Sequence, residues 1–320
     1  PWEAIKFDLM YSIDNGLTWM PIARNVSNVT GTSYNWVVPP PTEPNECLVK
    51  VIGYDASGME VGEDISDTPF TIVKYRIIDL GTIGGAEGMA YNINDSRQVV
   101  GWAGTSMGSH AFLWGEQDGI IDLGALEGGY SFANSINEQG QIAGYSFYTP
   151  ESSETHAILW TPEGGMRDIG TLGNTTEAND INDLGVVVGQ YQIESPLTNG
   201  GFLWTEGNGM QNLGTFGGRS YIKAINNNGQ VVGNRDNRAI LWTEAGGVVE
   251  LGGDLSYAED INEFGQVVGG AWGTNYRAFL WREDSGMLNL GTLPGCESVS
   301  YCRSFAYGIN DLGQVVGESN

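Results

Sequence analysis

The amino-acid sequence predicts an all-β protein. Its 320 residues include 48 Gly and 10 Trp, and Gly and Asn interrupt the short apolar runs throughout the chain, which is typical of short strands joined by tight turns. No segment has a convincing helical period. One phrase, Ile-Asn-x-x-Gly-Gln-Val-Val-Gly or a close variant, occurs six times. These observations predict that most of the chain is a repeated arrangement of small sheets.

The six copies of this phrase are spaced like the blades of a β-propeller. Each unit contains four strand candidates, which carry in order Leu-Gly, Ile-Asn, Val-Val-Gly and Ala-Phe-Leu-Trp. Four strands per unit of about 44 residues are typical of a propeller blade. Since the Ala-Phe-Leu-Trp strand occurs only five times, we expect six blades, with the last one incomplete and its missing strand located after Asn320. The copies start at Ile93, Ile136, Ile181, Ile225, Ile261 and Ile309, and their Asn residues are 43, 45, 44, 36 and 48 residues apart.

The phrase also predicts local structure. Asn-x-x-Gly predicts a hairpin turn, because Gly tolerates a left-handed backbone and the Asn side chain can accept the freed N–H groups. Val-Val followed by Gly predicts a stiff, buried strand that ends at the glycine. The Trp of the last strand is expected to pack between neighbouring sheets.

Residues 1–73 lie outside the repeat. They predict an immunoglobulin-like or fibronectin-like β-sandwich, followed by a propeller over residues 75–320. The strand candidates of the sandwich are Ile5–Ser12, Thr18–Ala23, Tyr34–Val38, Cys47–Asp55 and Phe70–Val73.

One hairpin of this first domain resembles a known motif. The segment Ser12-Ile13-Asp14-Asn15-Gly16-Leu17-Thr18-Trp19 matches every position of the Asp-box, the S-x-D-x-G-x-T-W hairpin of sialidases and other secreted β-proteins. In this interpretation Asp14 accepts backbone N–H groups, Gly16 supplies a positive φ and Trp19 anchors the hairpin. A structural role is favoured over a remnant of sialidase activity, because the motif is a fold device even in those enzymes.

Two sequence signatures recur in the repeats. One is His110-Ala111-Phe112-Leu113-Trp114, with the near copy His156-Ala157-Ile158-Leu159-Trp160, and the other is found at Leu80–Gly85 and Leu213–Gly218. With these signatures the repeats resemble the HAF extracellular repeat family, named for the His-Ala-Phe that opens one of its strands. The resemblance covers about residues 75–317. It implies a secreted or surface-exposed bacterial or archaeal protein without a shared catalytic activity. In later units the His position is occupied by Gly200, Arg238 and Arg277.

Composition argues against several classes of partner. The formal net charge of -25 argues against binding of nucleic acid or anionic membrane, because both need clustered Lys and Arg. No apolar run reaches the length of a membrane span, so membrane insertion is not expected. No cofactor is expected either, since nothing has zinc-site spacing. Because the chain starts at Pro1 without an initiator Met, we expect it to be a portion of a longer protein.

Aromatic residues after the Val-Val-Gly strand are the strongest indication of a ligand site. Trp102, Tyr145, Tyr191 and Trp272 recur at or near the same place in four repeats. On one face of a propeller, such rings would stack on sugars. The alternative interpretation, slightly favoured by the sequence, is that they cover adjacent blades or loops.

Calcium is the ion that the sequence favours, because Asp, Asn and backbone carbonyls in turns are its usual ligands. None of the turns has the Asp-x-Asp-x-Asp-Gly spacing of a dedicated loop, so solvated carboxylates are the simpler interpretation. The only histidines, His110 and His156, lack a companion nucleophile motif, and no carboxylate pair stands out as hydrolytic. The candidate calcium ligands near the Asn-x-x-Gly turns are Asp180, Asp183, Asp260, Glu263 and Asp311.

Cysteines and sequons bear on covalent modification. Cys296 and Cys302 share one loop and predict a local disulfide in an oxidising compartment. Cys47 lies in a strand-like alternation and is expected to be a small buried hydrophobe. Asn25 and Asn28 are sequons in a polar loop, and they are the glycosylation candidates if the source organism modifies Asn.

Three functions are compatible with these patterns. The favoured one is a non-enzymatic extracellular or cell-surface module for adhesion, surface structure or binding of glycans or proteins. The second is a secreted carbohydrate-active enzyme or its accessory domain. The third is a surface-layer or filament subunit, in which a neighbouring subunit, or the rest of a longer parent chain, completes the last blade.

Overall fold

The computed structural model describes residues 6–26, 46–67, 70–71, 77–106, 108–149, 151, 153–273, 275–293 and 302–319. The chain divides into two compact units, residues 1–79 and residues 80–320. This division falls slightly after the boundary at residues 73–75 that the sequence predicts. Both units are built from antiparallel sheets.

The described part of the first unit is one antiparallel sheet. Its strand order is β2-β1-β3-β4, and β5 also pairs with β3. The strand β4 is not among those expected from the sequence, and the expected strand at Tyr34–Val38 lies outside the described residues. Cys47 on β3 is fully buried. The strands are β1 (Lys6–Ser12), β2 (Met20–Val26), β3 (Glu46–Tyr54), β4 (Glu60–Ile65) and β5 (Phe70–Thr71).

Side-chain hydrogen bonds define the turn between β1 and β2. The Ser12 hydroxyl donates to Asp14 Oδ1 at 2.7 Å and accepts from the Gly16 N–H at 2.8 Å. Asp14 also accepts from the N–H and the hydroxyl of Thr18, at 2.8 and 2.6 Å. These bonds, chiefly that from the Thr18 hydroxyl, lower the pKa of Asp14 to about 2. The φ of Gly16 is 86°, which a residue with a Cβ rarely adopts.

The second unit is a series of small sheets. Four successive strands form each of the first five sheets, and the last two strands form a two-stranded sixth sheet. One parallel bridge between Thr155 and Thr175 links the second and third sheets. The strands are β6 (Gly88–Ile93), β7 (Val99–Gly104), β8 (Ser109–Gly115), β9 (Gly119–Asp122), β10 (Ser131–Ile136), β11 (Ile142–Phe147), β12 (Thr155–Thr161), β13 (Gly165–Gly170), β14 (Thr175–Ile181), β15 (Val187–Glu194), β16 (Leu197–Thr205), β17 (Gly209–Gly214), β18 (Ser220–Ile225), β19 (Val231–Arg235), β20 (Arg238–Thr243), β21 (Gly247–Glu250), β22 (Ser256–Ile261), β23 (Val267–Trp272), β24 (Tyr276–Arg282), β25 (Gly286–Gly291), β26 (Ser304–Ile309) and β27 (Val315–Ser319).

Helical structure is confined to one short turn in the part of the chain that the structure describes. It is the 3-10 turn Leu126–Gly128. No helix among these residues is long and apolar enough to cross a bilayer.

The strand order within each sheet corrects one expectation. The Leu-Gly strand pairs with the Trp-containing strand that precedes it, as β13 pairs with β12 and β25 with β24. It is therefore the fourth strand of a sheet and not the first. A short turn, such as that between Trp114 and Ile120, brings the two strands together. The first copy, at Ile78 to Gly81, is not a strand.

The Asn-x-x-Gly turns have the backbone that the sequence predicts. In the last five copies the glycine has a φ of 71–74°, and in the first copy Arg97 takes its place with a φ of 62°. The Asn side chain caps the turn, as Asn137 Oδ1 does by accepting from the Gln141 N–H at 2.9 Å. Glycine and Asn thus have the separate roles expected of them.

The glycine of Val-Val-Gly does not end its strand, contrary to the sequence interpretation. Strand β7 continues through Gly101 to Gly104. A Cβ on Gly101 would lie 1.9 Å from the Met89 carbonyl oxygen. The cause is a β-bulge, in which Ala90 pairs with Gly101 and Asn92 with Val100. The glycine is needed because two backbones approach closely, not because the chain turns.

Apolar contacts between successive sheets form the core of the second unit. Val188 on β15 and Ile222 on β18 are both fully buried and share a cluster with Ile225 and Val231. Trp204 is 3 % exposed and packs with residues of the second and third sheets. The internal sheets therefore bury apolar side chains on both faces, which explains their near-continuous Val and Ile runs.

Candidate ligand-binding cleft

The β-bulges bring one side chain from each Ile-Asn strand into a row, here called the bulge row. In β6 the register shifts between Ala90 and Asn92, and the other five Ile-Asn strands shift at equivalent places. A bulge re-aims a side chain away from the regular alternation of a strand. The residues of the bulge row are Tyr91, Asn134, Asn179, Lys223, Glu259 and Tyr307.

The first five residues of the bulge row line one solvent-open cleft of about 570 Å³. Three further lining residues, Tyr145, Gln190 and Asn234, each directly follow the glycine of the second strand of their sheet. The three others, Glu177, Tyr221 and Tyr257, each lie two positions before the bulge-row residue of their strand. Four tyrosine rings, several amides, two carboxylates and one ammonium group therefore share the cleft. The additional lining residues are Tyr145, Gln190, Asn234, Glu177, Tyr221 and Tyr257.

The charged groups of the cleft are paired with neighbours. Lys223 Nζ lies 3.1 Å from Glu259 Oε2, and Gln190 Nε2 donates to Glu177 Oε2 at 3.0 Å. These contacts orient both carboxylates. Each carboxylate keeps further lone pairs with which it can accept hydrogen bonds.

Three amides tie the cleft to the backbone of neighbouring sheets. Asn134 Nδ2 donates to the Ala178 carbonyl at 2.8 Å, and Asn179 Nδ2 donates to the Ile222 carbonyl at 2.6 Å. Asn234 Oδ1 accepts from the next sheet, and its side chain is buried. The floor of the cleft is therefore cross-linked from sheet to sheet.

Two of the aromatic residues singled out from the sequence, Trp102 and Tyr145, are brought together by Phe132. The Phe132 and Tyr145 rings stack with centroids 4.9 Å apart, and the Trp102 ring lies 5.9 Å from Phe132. Trp102 Nε1 donates to the Tyr91 hydroxyl at 3.0 Å. Burial and the nearby Glu177 carboxylate raise the pKa of Tyr145, so its hydroxyl remains a donor at neutral pH.

Of the four aromatic candidates, Tyr145 lines the cleft, Trp102 contacts its lining residue Tyr91, and the other two lie elsewhere. Tyr191 is 4 % exposed, and its hydroxyl donates to Asn212 Oδ1 at 3.0 Å. It lies one position further along its strand than Tyr145 does, and adjacent strand positions face opposite sides of a sheet. Trp272 is 47 % exposed and makes an edge contact with Tyr276 at 4.8 Å, but it does not line the cleft.

The Asn of the repeated phrase joins each repeat to the next. Asn94 Nδ2 donates to the Asn137 carbonyl at 3.1 Å, and the same bond recurs at the four later steps, at 3.0–3.1 Å. We call this series the asparagine ladder. It gives these side chains a structural role, because each bond replaces water at a buried carbonyl.

A parallel series of hydrogen bonds accounts for three of the proposed calcium ligands. The N–H of Glu138 donates to Asp183 at 3.0 Å, that of Asn227 to Glu263 at 3.0 Å, and that of Glu263 to Asp311 at 2.9 Å. Each carboxylate thus accepts a backbone N–H from the preceding repeat.

The remaining two proposed ligands, Asp180 and Asp260, are partly buried between sheets. Asp180 accepts from the Ser135 hydroxyl at 2.6 Å and from the Ile225 N–H at 2.8 Å. Asp260 accepts from the Ile309 N–H at 2.8 Å. Burial raises the pKa of both carboxyls, to about 7 for Asp180, although these hydrogen bonds act in the opposite direction.

The five proposed calcium ligands do not converge on a point. In the described ranges of the chain, no three His, Cys, Asp or Glu side chains are grouped so that they could hold a metal ion. The carboxylates are distributed along the inter-sheet contacts.

The two histidines form cross-strand pairs with carboxylates. His110 Nδ1 lies 2.9 Å from Asp122 Oδ1, and His156 Nδ1 lies 2.7 Å from Asp168 Oδ2. In the fourth sheet Arg238 takes the equivalent position and pairs with Glu250 at 2.9 Å. In the fourth sheet the pairing is thus kept although the residue type changes, which indicates a structural role.

The modification candidates are described only in part. Cys302 is disulfide-bonded and 2 % exposed, whereas Cys296 lies outside the described residues. Asn25 is exposed on β2, and its N–H donates to Asp8 Oδ1 at 2.8 Å. Asn28 also lies outside the described residues.

Sequence reasoning missed the bulge row, although the sequence carries a signal for it. In the recurring Ala-x-x-Ile pattern the two apolar residues are three positions apart, so they would face opposite sides of a regular strand. Ala133 and Ile136 nevertheless belong to one buried cluster, which requires an extra residue between them. That residue changes from repeat to repeat among Tyr, Asn, Lys and Glu.

No protein-family model matches this chain, and no curated protein sequence matches it either. The geometry of the cleft therefore carries the functional argument.

Proposed function

We propose that this chain is a non-enzymatic extracellular or cell-surface module that binds a glycan in the cleft lined by the bulge row. In this proposal the small sheets of the second unit are blades of a propeller-like array, and the first unit is a sandwich-type spacer. The resemblance of segments such as His110–Trp114 to secreted repeat proteins supports the surface location.

The chemical mixture in the cleft is the observation that carries the proposal. Sugar rings expose apolar C–H faces beside closely spaced hydroxyls, so their sites combine flat aromatic surfaces with donors and acceptors. Tyr91, Tyr145, Tyr221 and Tyr257 supply the rings, and the amides and carboxylates supply the polar groups. Two carboxylates face one ammonium in the cleft, and the formal net charge of the chain is -25. A neutral glycan fits this electrostatic environment better than a polyanionic one.

A glycan array tests the proposal with three variants. We expect the wild type to bind neutral glycans, and Tyr145→Ala and Tyr257→Ala each to weaken binding about tenfold, or about 1.4 kcal/mol, because each removes a lining ring. Tyr148→Ala is the matched control, since Tyr148 is 43 % exposed, stacks on His156 and does not line the cleft. Binding that is unchanged in both cleft variants would contradict the proposal.

Trp272→Ala separates this cleft from the aromatic surface that the sequence suggests. Because Trp272 does not line the cleft, we expect this variant to bind like the wild type. Binding that depends on Trp272 but not on Tyr145 would move the site to the fifth sheet.

A hydrolase is the second candidate function, because Glu177 and Glu259 both line the cleft and glycosidases use two carboxylates. Each is already bonded to a neighbour, Glu177 to Gln190 and Glu259 to Lys223, which favours a binding role. Prolonged incubation with a bound oligosaccharide distinguishes the two functions. An oligosaccharide that keeps its length supports binding alone. Cleavage of the oligosaccharide that is lost in Glu177→Gln or Glu259→Gln would instead establish that the protein is a hydrolase.

A further inference from the structure

Three hydrogen-bonding side chains lie together on the third sheet, where it lines the cleft. Glu177 on β14 lies directly opposite Gln190 on β15 in the register of the sheet. Asn179, the bulge-row residue of β14, follows Glu177 by two positions. All three residues line the cleft, so they offer their polar groups to the same part of a ligand.

The two amides of this group present acceptors to the cleft. Asn179 Nδ2 donates to the Ile222 carbonyl at 2.6 Å, and Gln190 Nε2 donates to Glu177 Oε2 at 3.0 Å. Because each amide nitrogen is held by the protein, the oxygen on the other arm of the amide is left to accept from a ligand. Together with the Glu177 carboxylate, the third sheet therefore offers mainly acceptors.

The charges that line the cleft are unevenly balanced. Lys223 on the fourth sheet is paired with Glu259 on the fifth sheet, with Nζ 3.1 Å from Oε2. Glu177 on the third sheet is bonded to the neutral amide of Gln190, and within the described ranges no Lys, Arg or His side chain forms an ion pair with it. The third sheet therefore carries a negative charge that a cationic ligand can neutralise.

The charge of Glu177 acts on one of the aromatic rings of the cleft. Burial raises the pKa of the Tyr145 hydroxyl, and the Glu177 carboxylate raises that pKa further. The Tyr145 ring stacks on Phe132 with centroids 4.9 Å apart, which fixes its position in the cleft. A sugar that stacks on Tyr145 would therefore lie in the negative potential of Glu177.

An organic ammonium group fits these acceptors better than a metal ion does. Calcium takes about six to eight oxygen ligands, several of them carboxylates, and in the part of the chain that the structure describes no three His, Cys, Asp or Glu side chains are grouped in this way. An ammonium group has one positive charge and three N–H donors. One carboxylate and two amide oxygens match it, and the bond to the carboxylate is strengthened by charge.

We propose that the cleft prefers glycans in which one sugar carries a free amine, bound as an ammonium group by Glu177, Asn179 and Gln190. This inference rests on the proposed glycan-binding function, and it names the class of sugar that the same cleft selects. An N-acetylated sugar gains less from these residues, because its amide is uncharged and keeps only one N–H donor. A sugar with a hydroxyl at the same carbon also lacks the charge.

Isothermal titration calorimetry with three oligosaccharides of equal length and linkage tests this preference. They are built from glucose, N-acetylglucosamine or glucosamine, so that only the substituent at one carbon of each sugar changes. The titrations are made at about pH 5.5, where an amine of this kind is protonated, and in about 0.15 M NaCl, which screens distant charges of the chain. We expect the wild type to bind the glucosamine oligosaccharide about tenfold more tightly than the other two, or by about 1.4 kcal/mol.

Three variants assign the preference to individual charges, with the ratio of the affinities for glucosamine and glucose oligosaccharides as the readout. Glu177→Gln should lower this ratio from about ten to about one, since Gln keeps the shape of the side chain and can still accept the Gln190 N–H. Lys223→Gln should raise it about threefold, because it removes the cation that lines the cleft. Glu206→Gln is the matched control and should keep the wild-type ratio, because Glu206 is 71 % exposed, pairs with Arg167 and does not line the cleft.

The outcomes separate this inference from the proposed function. A wild type that binds the three oligosaccharides equally overturns the amine preference and leaves glycan binding intact. A preference that persists in Glu177→Gln, or that Glu206→Gln also abolishes, would belong to the overall charge of the chain and would overturn the inference as well. If the wild type binds none of the three, the inference fails, and the glycan array decides separately whether the cleft binds any glycan.

Discussion

The asparagine ladder predicts that one substitution has very different costs at two equivalent positions. Asn226 makes four side-chain hydrogen bonds, including the ladder bond to the Asn262 carbonyl at 3.0 Å, and it is 2 % exposed. Within the described part of the chain, the Asn310 side chain makes two local bonds to Gln314, and it is exposed. Asn226→Ala and Asn310→Ala therefore differ in burial, in the bond to the next repeat and in one local bond, from the Asn228 N–H.

The expected magnitudes follow from these bonds. A buried hydrogen bond contributes about 1 kcal/mol net to the free energy of unfolding. At an exposed position the loss of stability is smaller, because the groups that lose their partner bond to water instead. We expect Asn226→Ala to lower the free energy of unfolding by about 3–4 kcal/mol, and Asn310→Ala to lower it by less than about 1 kcal/mol.

Urea denaturation followed by tryptophan fluorescence measures both variants. The protein concentration should be one at which the wild type sediments as a monomer, so that association does not contribute. Equal losses of stability in the two variants would refute the ladder as the source of the difference, since both side chains make the same two bonds to the Gln four positions later.

Three further predictions concern single positions. In thermal unfolding, Gly144→Ala should cost more than about 3 kcal/mol, because its Cβ would lie 2.0 Å from the Phe132 carbonyl oxygen, whereas Gly207→Ala, with nothing within 4 Å, should be neutral or slightly stabilising. Asp180 has a folded-state pKa of about 7 against an ordinary value of 3.8, so the folded chain keeps a proton that the unfolded chain releases, and stability should fall as pH rises from about 4 to 7. Asp180→Asn should remove a pH-dependent difference of up to about 4 kcal/mol from urea titrations across this range; an unchanged pH profile would contradict the burial argument. His110→Ala should cost less than about 1 kcal/mol and leave glycan binding unchanged, because its pair with Asp122 is partly exposed.

Local features of the fold could be predicted from the sequence because they depend on neighbouring residues. The Asn-x-x-Gly turns could be predicted because glycines such as Gly140 adopt the left-handed backbone that the turn requires. The Asn side chain caps the same turn by accepting the N–H of the residue four positions later. The position of the Leu-Gly strand could not be obtained in this way. A repeat has no intrinsic starting point, so the sequence alone does not say whether this strand opens one sheet or closes the previous one.

The candidate site was harder to predict because it depends on which side of a strand each residue faces. Tyr145 directly follows the glycine of its second strand, whereas Tyr191 follows its glycine by two positions, and strict alternation separates the two. The role of Asp183 could not be found by counting, because its N–H donor belongs to another repeat, 45 residues earlier in the sequence.

The asparagine ladder also bears on how such a chain could diversify. Its hydrogen bonds are 3.0 Å long where successive Asn residues are 36 positions apart and 3.1 Å long where they are 48 positions apart. The length of the ladder bond therefore does not depend on the number of residues in a repeat. Length varies instead in the connections between second and third strands, as between Arg235 and Arg238 or between Phe147 and Thr155, and before the sixth sheet. Insertions and deletions can therefore accumulate in the connections beside Tyr145 while the hairpins that carry the ladder keep their spacing. Under the proposed function, this would let ligand recognition diverge on an unchanged scaffold.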